Sequence, residues 1–176
     1  DCYNELGTFA QMNPPIREKR HLDGLWRGIN EGVVDVIGSD HAPHTKEEKL
    51  KPYPESPSGM PGVQTLLPIM LNHVNNGKMS IFKLCELIST NPAKLYKALN
   101  KGKIKLNYDA DLTIVDLNKK VKITDEMMAN KSGWTPYNNK NVKGWPVMTI
   151  VNGKVIMKDG KLIDTPNGKP VLFDRK

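Results

Sequence analysis

The sequence predicts an α/β chain with two textures, helices around one buried strand in residues 1–100 and a β-rich stretch in residues 101–176. Three observations carry this. Val33-Val34-Asp35-Val36-Ile37-Gly38 is an apolar run closed by glycine, which reads as a strand buried on both faces. Apolar stripes at helical spacing flank it. After Gly102 short strand-like runs alternate with Asn-Gly and Asp-Gly turns, both strong hairpin signals. The buried run stops at Ser39-Asp40-His41-Ala42-Pro43-His44, so an acid and two histidines stand at a strand end, where α/β architectures carry their chemistry.

In chain order, residues 1–20 read as a loop. Met12-Asn13-Pro14-Pro15-Ile16-Arg17 holds two prolines, which remove amide donors and fix an extended backbone. From the residues alone this is a surface connection whose flanking Asn13 and Arg17 point in set directions. Leu22, Leu25, Trp26 and Ile29 then mark a helix, and Gly32 supplies its left-handed stop. Residues 39–62 form a long loop punctuated by Pro43, Pro52, Pro54, Pro57 and Pro61, and loops longer than about 15 residues are more often functional than idle. Three helices follow. Leu66, Leu67, Met70, Leu71 and Val74 make a stripe ending at Gly77, with Pro68 acceptable in the first turn. Ser80 caps a helix bearing Ile81, Leu84, Cys85 and Ile88. Asn91 caps a third with Pro92 at its first position, carrying Leu95, Tyr96 and Leu99; Met70 and Tyr96 read as core. Residues 111–116 are a strand, residues 147–163 hold two more split by Asn152-Gly153 and followed by Asp159-Gly160, and Asn167-Gly168 offers a turn before Val171-Leu172-Phe173. There is no internal repeat and no low-complexity tract.

Composition narrows the classes of function. The chain has 176 residues, 38% of them hydrophobic, and a net charge of +7. Its lysines are scattered among acids and lack aromatic interleaving, so the charge reads as a solvated surface and not as a nucleic-acid site. No apolar run approaches the about 18–20 residues of a membrane span, and no signal-peptide pattern opens the chain. Cys2 and Cys85 are too few for a disulfide framework, and Cys85 on an apolar stripe favours a reducing, cytoplasmic setting. The opening Asp1-Cys2-Tyr3 reads like the interior of a longer polypeptide, which makes a fragment the expectation.

Asp40, His41 and His44 fall within five residues. A carboxylate there can bind a metal or take a proton from water, and a nearby histidine can bind an anion or donate a hydrogen bond. The spacing alone is a modest signal, and a catalytic zinc normally needs three protein ligands. No second cluster is visible, since His21 and His73 lie on helical stretches that read as surface.

Five motifs, in order and nearly chain-wide, carry a resemblance. Met12-Asn13-Pro14-Pro15-Ile16-Arg17, Gly38-Ser39-Asp40-His41-Ala42-Pro43-His44-Thr45, Ser56-Pro57-Ser58-Gly59-Met60-Pro61-Gly62, Asn91-Pro92-Ala93-Lys94 and Asp109-Ala110-Asp111-Leu112-Thr113-Ile114-Val115-Asp116 together resemble the C-terminal half of a dihydroorotase of the amidohydrolase superfamily. The second and fifth resemble allantoinases and hydantoinases as well, whereas Met-Asn-Pro-Pro resembles dihydroorotases in particular, so Asn13 tips the substrate.

The resemblance implies the end of a metal-dependent (β/α)8 TIM barrel plus the C-terminal strands of a small β-sandwich. Residues 1–100 would be the last barrel segment, with residues 33–38 its eighth strand and the helices after it, and residues 101–176 the sandwich share. Asp40 would be both catalytic acid–base and metal ligand. Asn13 and His44 would hold the substrate's ring amide and carboxylate, Ser58 and Gly59 would touch it through their backbone, and His41 receives no role. The complete enzyme would carry one or two Zn(2+) ions, most of their ligands outside this chain, and would reversibly hydrolyse dihydroorotate to N-carbamoyl-aspartate in pyrimidine biosynthesis, as a homo-oligomer or beside an aspartate transcarbamoylase. The resemblance further implies that these residues alone bind no zinc tightly and do not turn over. Two other readings stand beside it: an allantoinase- or hydantoinase-like hydrolase, and a non-catalytic dihydroorotase-like scaffold subunit, against which the retained Asp40, Asn13 and His44 speak.

Overall fold

The computed structural model describes residues 2–165 and 167–174. Its elements run α1 (Cys2–Leu6), a 3-10 turn (Gly7–Ala10), α2 (Lys19–Glu31), α3 (Lys46–Lys49), α4 (Leu66–Asn75), α5 (Ile81–Cys85), a π turn (Glu86–Thr90) and α6 (Asn91–Leu95). Then come β1 (Leu112–Lys122), a 3-10 turn (Asp125–Met127), β2 (Asn141–Val151), β3 (Lys154–Lys158) and β4 (Lys161–Leu162). No helix among the described residues is long and apolar enough to cross a membrane.

Local chemistry explains most of these boundaries. Gly32 ends α2 in the left-handed region at φ 79°, where glycine carries no side-chain penalty. The Lys83 amide donates to Ser80 Oγ at 3.0 Å to start α5, and Thr45 and Glu48 cap α3 reciprocally. The four strands make one antiparallel sheet in the order β1-β2-β3-β4. Its two tight turns are Asn152-Gly153 and Asp159-Gly160, all four residues at positive φ, the primed hairpin geometry those pairs favour.

Two apolar clusters meet at α4. Ile29, Met70, Leu71, Met79, Leu84 and Leu87 form the helical core, with Trp26, Val34 and Ile37 packed against it; Ile69, Ile123 and Val142 form the second, on the sheet side. The helix lies so near β2 that a Cβ on Gly144 would come within 2.8 Å of Leu71 Cβ. Asn75 Nδ2 donates to the carbonyls of Leu117 and Lys143, and the Lys143 amide donates to Asn72 Oδ1 at 3.0 Å. Helix and sheet are thus joined by hydrogen bonds as well as by packing.

Several sequence expectations need correction. Residues 33–38 have no ladder partner among the described residues, and Val33 is 74% exposed. The run is instead held to helices: the Ile37 amide donates to Leu87 O at 3.1 Å and Asn91 Nδ2 to Asp35 O at 2.9 Å. A strand exists only through its neighbours, and the described chain lays none beside this one. Asn91 therefore does not cap a third helix; it sits inside a helical run continuing from α5 through the π turn, with its side chain spent on Asp35. Leu22, Leu25 and Tyr96 are exposed, as is Cys85. Residues 1–20 are not all loop, since α1 and a 3-10 turn occupy their first half. The strands form a single sheet with α4 on it, and no second sheet faces them among the described residues. Phe173 makes one bridge, to Ala98, so residues 171–173 return to the helical part; the turn expected at Asn167-Gly168 adjoins Pro166, outside the described residues.

Candidate functional site

Asp40 ends the unpaired run with a backbone in the left-handed region, at φ 43°. Its carboxylate is exposed and takes no hydrogen bond or ion pair among the described residues. The residue after it is tied down. The ring Nδ1 of His41 accepts from the amides of Gly62 at 3.0 Å and Val63 at 3.3 Å, so its proton sits on Nε2. His41, left without a role by its sequence, is the acceptor that fixes the turn leading into α4. The Ala42 amide donates to Met60 O at 3.0 Å, which lays residues 41–42 beside residue 60.

His44 stands over Ser58. A carbonyl only accepts, so the 3.2 Å contact between His44 Nε2 and Ser58 O places a proton on Nε2. Its Nδ1 lies 3.8 Å from Glu48 Oε2. That carboxylate is held below its ordinary 4.5 chiefly by the Thr45 amide, which donates to it. The His44 carbonyl accepts from Trp134 Nε1 at 2.8 Å, and the Trp134 ring meets Phe9 edge to face at 4.9 Å. Gly59 has to be glycine: at φ 138° a Cβ would lie 2.5 Å from Ala42 O.

The Met12-Asn13-Pro14 segment reaches the same place. The Gly59 amide donates to Gln11 O at 2.9 Å and Gln11 Nε2 to Ser56 O at 2.7 Å. Asn13 and Ser58 line one cleft of about 550 Å³ with Tyr3, Gln11 and Tyr53. Beneath it Lys49 is fully buried, at 0% exposure, and donates to Gln11 O at 3.2 Å and Pro57 O at 2.8 Å; burial pushes its ammonium below the ordinary 10.5. Hydrogen bonds therefore join His44 to Ser58 and Gly59 to Gln11, two residues before Asn13, and Asn13 shares a cleft with Ser58; the Asp40 side chain takes part in none of these contacts, and only the backbone of residues 41–42 after it is tied to residue 60. Sequence reading missed Lys49, Gln11 and Trp134. Only α3 carried a signal, the Thr45-x-x-Glu48 capping box. His73, read as surface, is half-buried and packs on Trp26 at 4.8 Å, with burial lowering its pKa.

A metal needs more than this. No three of His, Cys, Asp or Glu among the described residues come together as a metal-binding group, short of the three ligands a catalytic zinc uses. Asp40 can supply one ligand; the residues present do not fit a zinc site by themselves.

Comparison with known proteins places these motifs. The amidohydrolase family model matches residues 12–156. Dihydroorotase from Methanosarcina mazei is 38% identical over 170 residues, covering 96% of this chain and 36% of that protein. Dihydroorotase from Methanosphaera stadtmanae is 41% identical over 160 residues, covering 89% of this chain and 36% of that protein. Among solved structures, L-hydantoinase (dihydropyrimidinase) from Arthrobacter aurescens superimposes with a TM-score of 0.88 at 32% identity, over 93% of this chain and 38% of that one. The chain thus spans little more than a third of the length of the relatives it matches.

Proposed function

Since the chain belongs to the amidohydrolase family, we propose that it is the C-terminal part of a dihydroorotase whose complete form reversibly hydrolyses dihydroorotate to N-carbamoyl-aspartate. The observation that carries this reading is that Met12, Asn13 and Ser58 line one cleft, with Gly59 bonded to Gln11 and His44 bonded to Ser58. Residues 1–100 are then the end of the barrel, with residues 33–38 its eighth strand, and residues 101–176 its share of a β-sandwich. One or two zinc ions are the cofactor of the complete enzyme, Asp40 being the single ligand contributed here.

The chain's own residues divide the work. Asp40, exposed and free of competing hydrogen bonds, takes a proton from the attacking water and returns it to the ring nitrogen as the C–N bond breaks. Asn13 offers both a donor and an acceptor, matching a ring amide that presents the same pair. Ser58 and Gly59 contribute backbone groups held rigid by the Gln11 contacts. His44 exchanges its bond to Ser58 for the substrate's carboxylate. The complete enzyme works on a small molecule in the cytoplasm, as a homo-oligomer or with an aspartate transcarbamoylase.

The structural likeness to a hydantoinase supports a second reading, a hydrolase of hydantoins or dihydropyrimidines. The test is turnover by the complete protein, wild type and Asp40→Asn, on dihydroorotate and on hydantoin. Wild type should open dihydroorotate, and the variant should lose about 10²–10⁴ in kcat with an unchanged unfolding midpoint. Turnover of hydantoin with none of dihydroorotate would favour the second reading.

A further inference from the structure

We propose that Lys49 is a positioning residue whose ammonium clamps together the two loops that carry Asn13 and Ser58; this rests on the reading of those residues as substrate contacts. The lysine is fully buried, and its donors go to main-chain carbonyls, Gln11 O at 3.2 Å and Pro57 O at 2.8 Å. Gln11 lies two residues before Asn13, and Pro57 immediately precedes Ser58. The other end of the same residue grips the same loops, since Lys49 O accepts from Ser56 Oγ at 3.3 Å and from Thr8 Oγ1. Gln11 O is shared between the ammonium and the Gly59 amide, so one carbonyl ties both loops to one charge.

Two simpler roles fail against these contacts. A surface lysine keeps its head in water, and this one is 0% exposed. A buried ion pair needs a carboxylate, and no acidic side chain is bonded to Lys49 Nζ among the described residues. A cation taken from water without a counter-ion is costly, and an apolar side chain would fill the space at lower cost. What only the ammonium does is hold two carbonyls at once, three donors from one atom. That fixes the separation of the loops on either side of the cleft lined by Asn13 and Ser58.

The test is Lys49→Met in the complete protein, which keeps the length of the stem and removes the donors, with Lys49→Gln as the milder variant that restores a donor. KM for dihydroorotate should rise about ten- to a hundredfold, the size of effect small displacements of binding groups produce. kcat should stay within about threefold, as expected when binding common to ground and transition states is lost. The Gly59 amide should exchange at least about tenfold faster while α2 amides stay unchanged. Lys49→Gln should fall between the two, and it decides the matter by the same measurements if Lys49→Met does not fold. Wild-type KM and Gly59 exchange in a variant that has only lost thermal stability would overturn the clamp. If wild type fails to open dihydroorotate, the functional reading fails, and Gly59 exchange then judges the clamp alone.

Discussion

Replacing Gly59 with alanine puts one methyl group where residues 42, 44 and 59 cross. The added Cβ would lie 2.5 Å from Ala42 O, 2.9 Å from Ala42 Cβ and 3.2 Å from His44 Cδ2, on a backbone at φ 138° that L residues rarely adopt. The backbone term is about 1–3 kcal/mol, and overpacking adds about 1–3 kcal/mol. Neither strand of the crossing can retreat cheaply. Ala42 is fixed by its amide on Met60 O, and residue 59 by its own amide on Gln11 O. The expected loss is therefore about 2–6 kcal/mol, read as a fall in the urea midpoint of the complete protein. Gly24→Ala is the control: it lies within α2 with nothing within 4 Å of the added Cβ, and should gain about 0.5–1 kcal/mol. A Gly59→Ala protein within about 0.5 kcal/mol of wild type, the range of ordinary surface changes, would refute the crossing.

Two further predictions concern charge and metal. The Glu48 carboxylate is held below its ordinary 4.5, first by the Thr45 amide, so its contribution to the cap of α3 is complete above pH 4.5 and is lost as the pH falls through the lowered value. NMR titration of the Glu48 side chain should show a midpoint under 4.5 that rises only part of the way back in Thr45→Ala, which removes the hydroxyl and keeps the amide, and a midpoint at or above 4.5 in wild type would contradict the capping box. The 176 residues by themselves should retain no zinc after gel filtration and show no dihydroorotate hydrolysis; one tightly bound equivalent by metal analysis would overturn that.

How much was legible depended on whether the cause was local. The caps at Ser80 and Gly32 and the turns at Asn152-Gly153 and Asp159-Gly160 were readable because each rests on a few adjacent residues. The fate of residues 33–38 was not, because the same Val-rich run reads as a strand whether or not partners lie beside it, and here only helices do. Tyr96 and Leu25 were assigned inward from periodicity, which gives the stripe but not the thing that covers it. Lys49 shows the opposite failure: in Lys46-Glu47-Glu48-Lys49 it reads as one more solvated charge, and only the fold reveals that its stem runs inward to two carbonyls. Asn13, Ser58 and His44 were singled out by their motifs, while the contacts around them pass through Gln11, Ser56 and Trp134, whose partners lie 45 or more positions away.

Helix α4 gives Met70 and Leu71 to one core and Ile69 to the other, and its Asn72 and Asn75 are bonded to β2. A helix owned by two cores leaves no seam between them. The change of texture at residue 101 is therefore a boundary of composition and not of mechanics. A shift of α4 displaces both cores at once, and the turn that His41 holds at Gly62 and Val63 sits directly at its start. A strain on the sheet thus has a short, continuous route of packed and hydrogen-bonded groups to the residue next to Asp40.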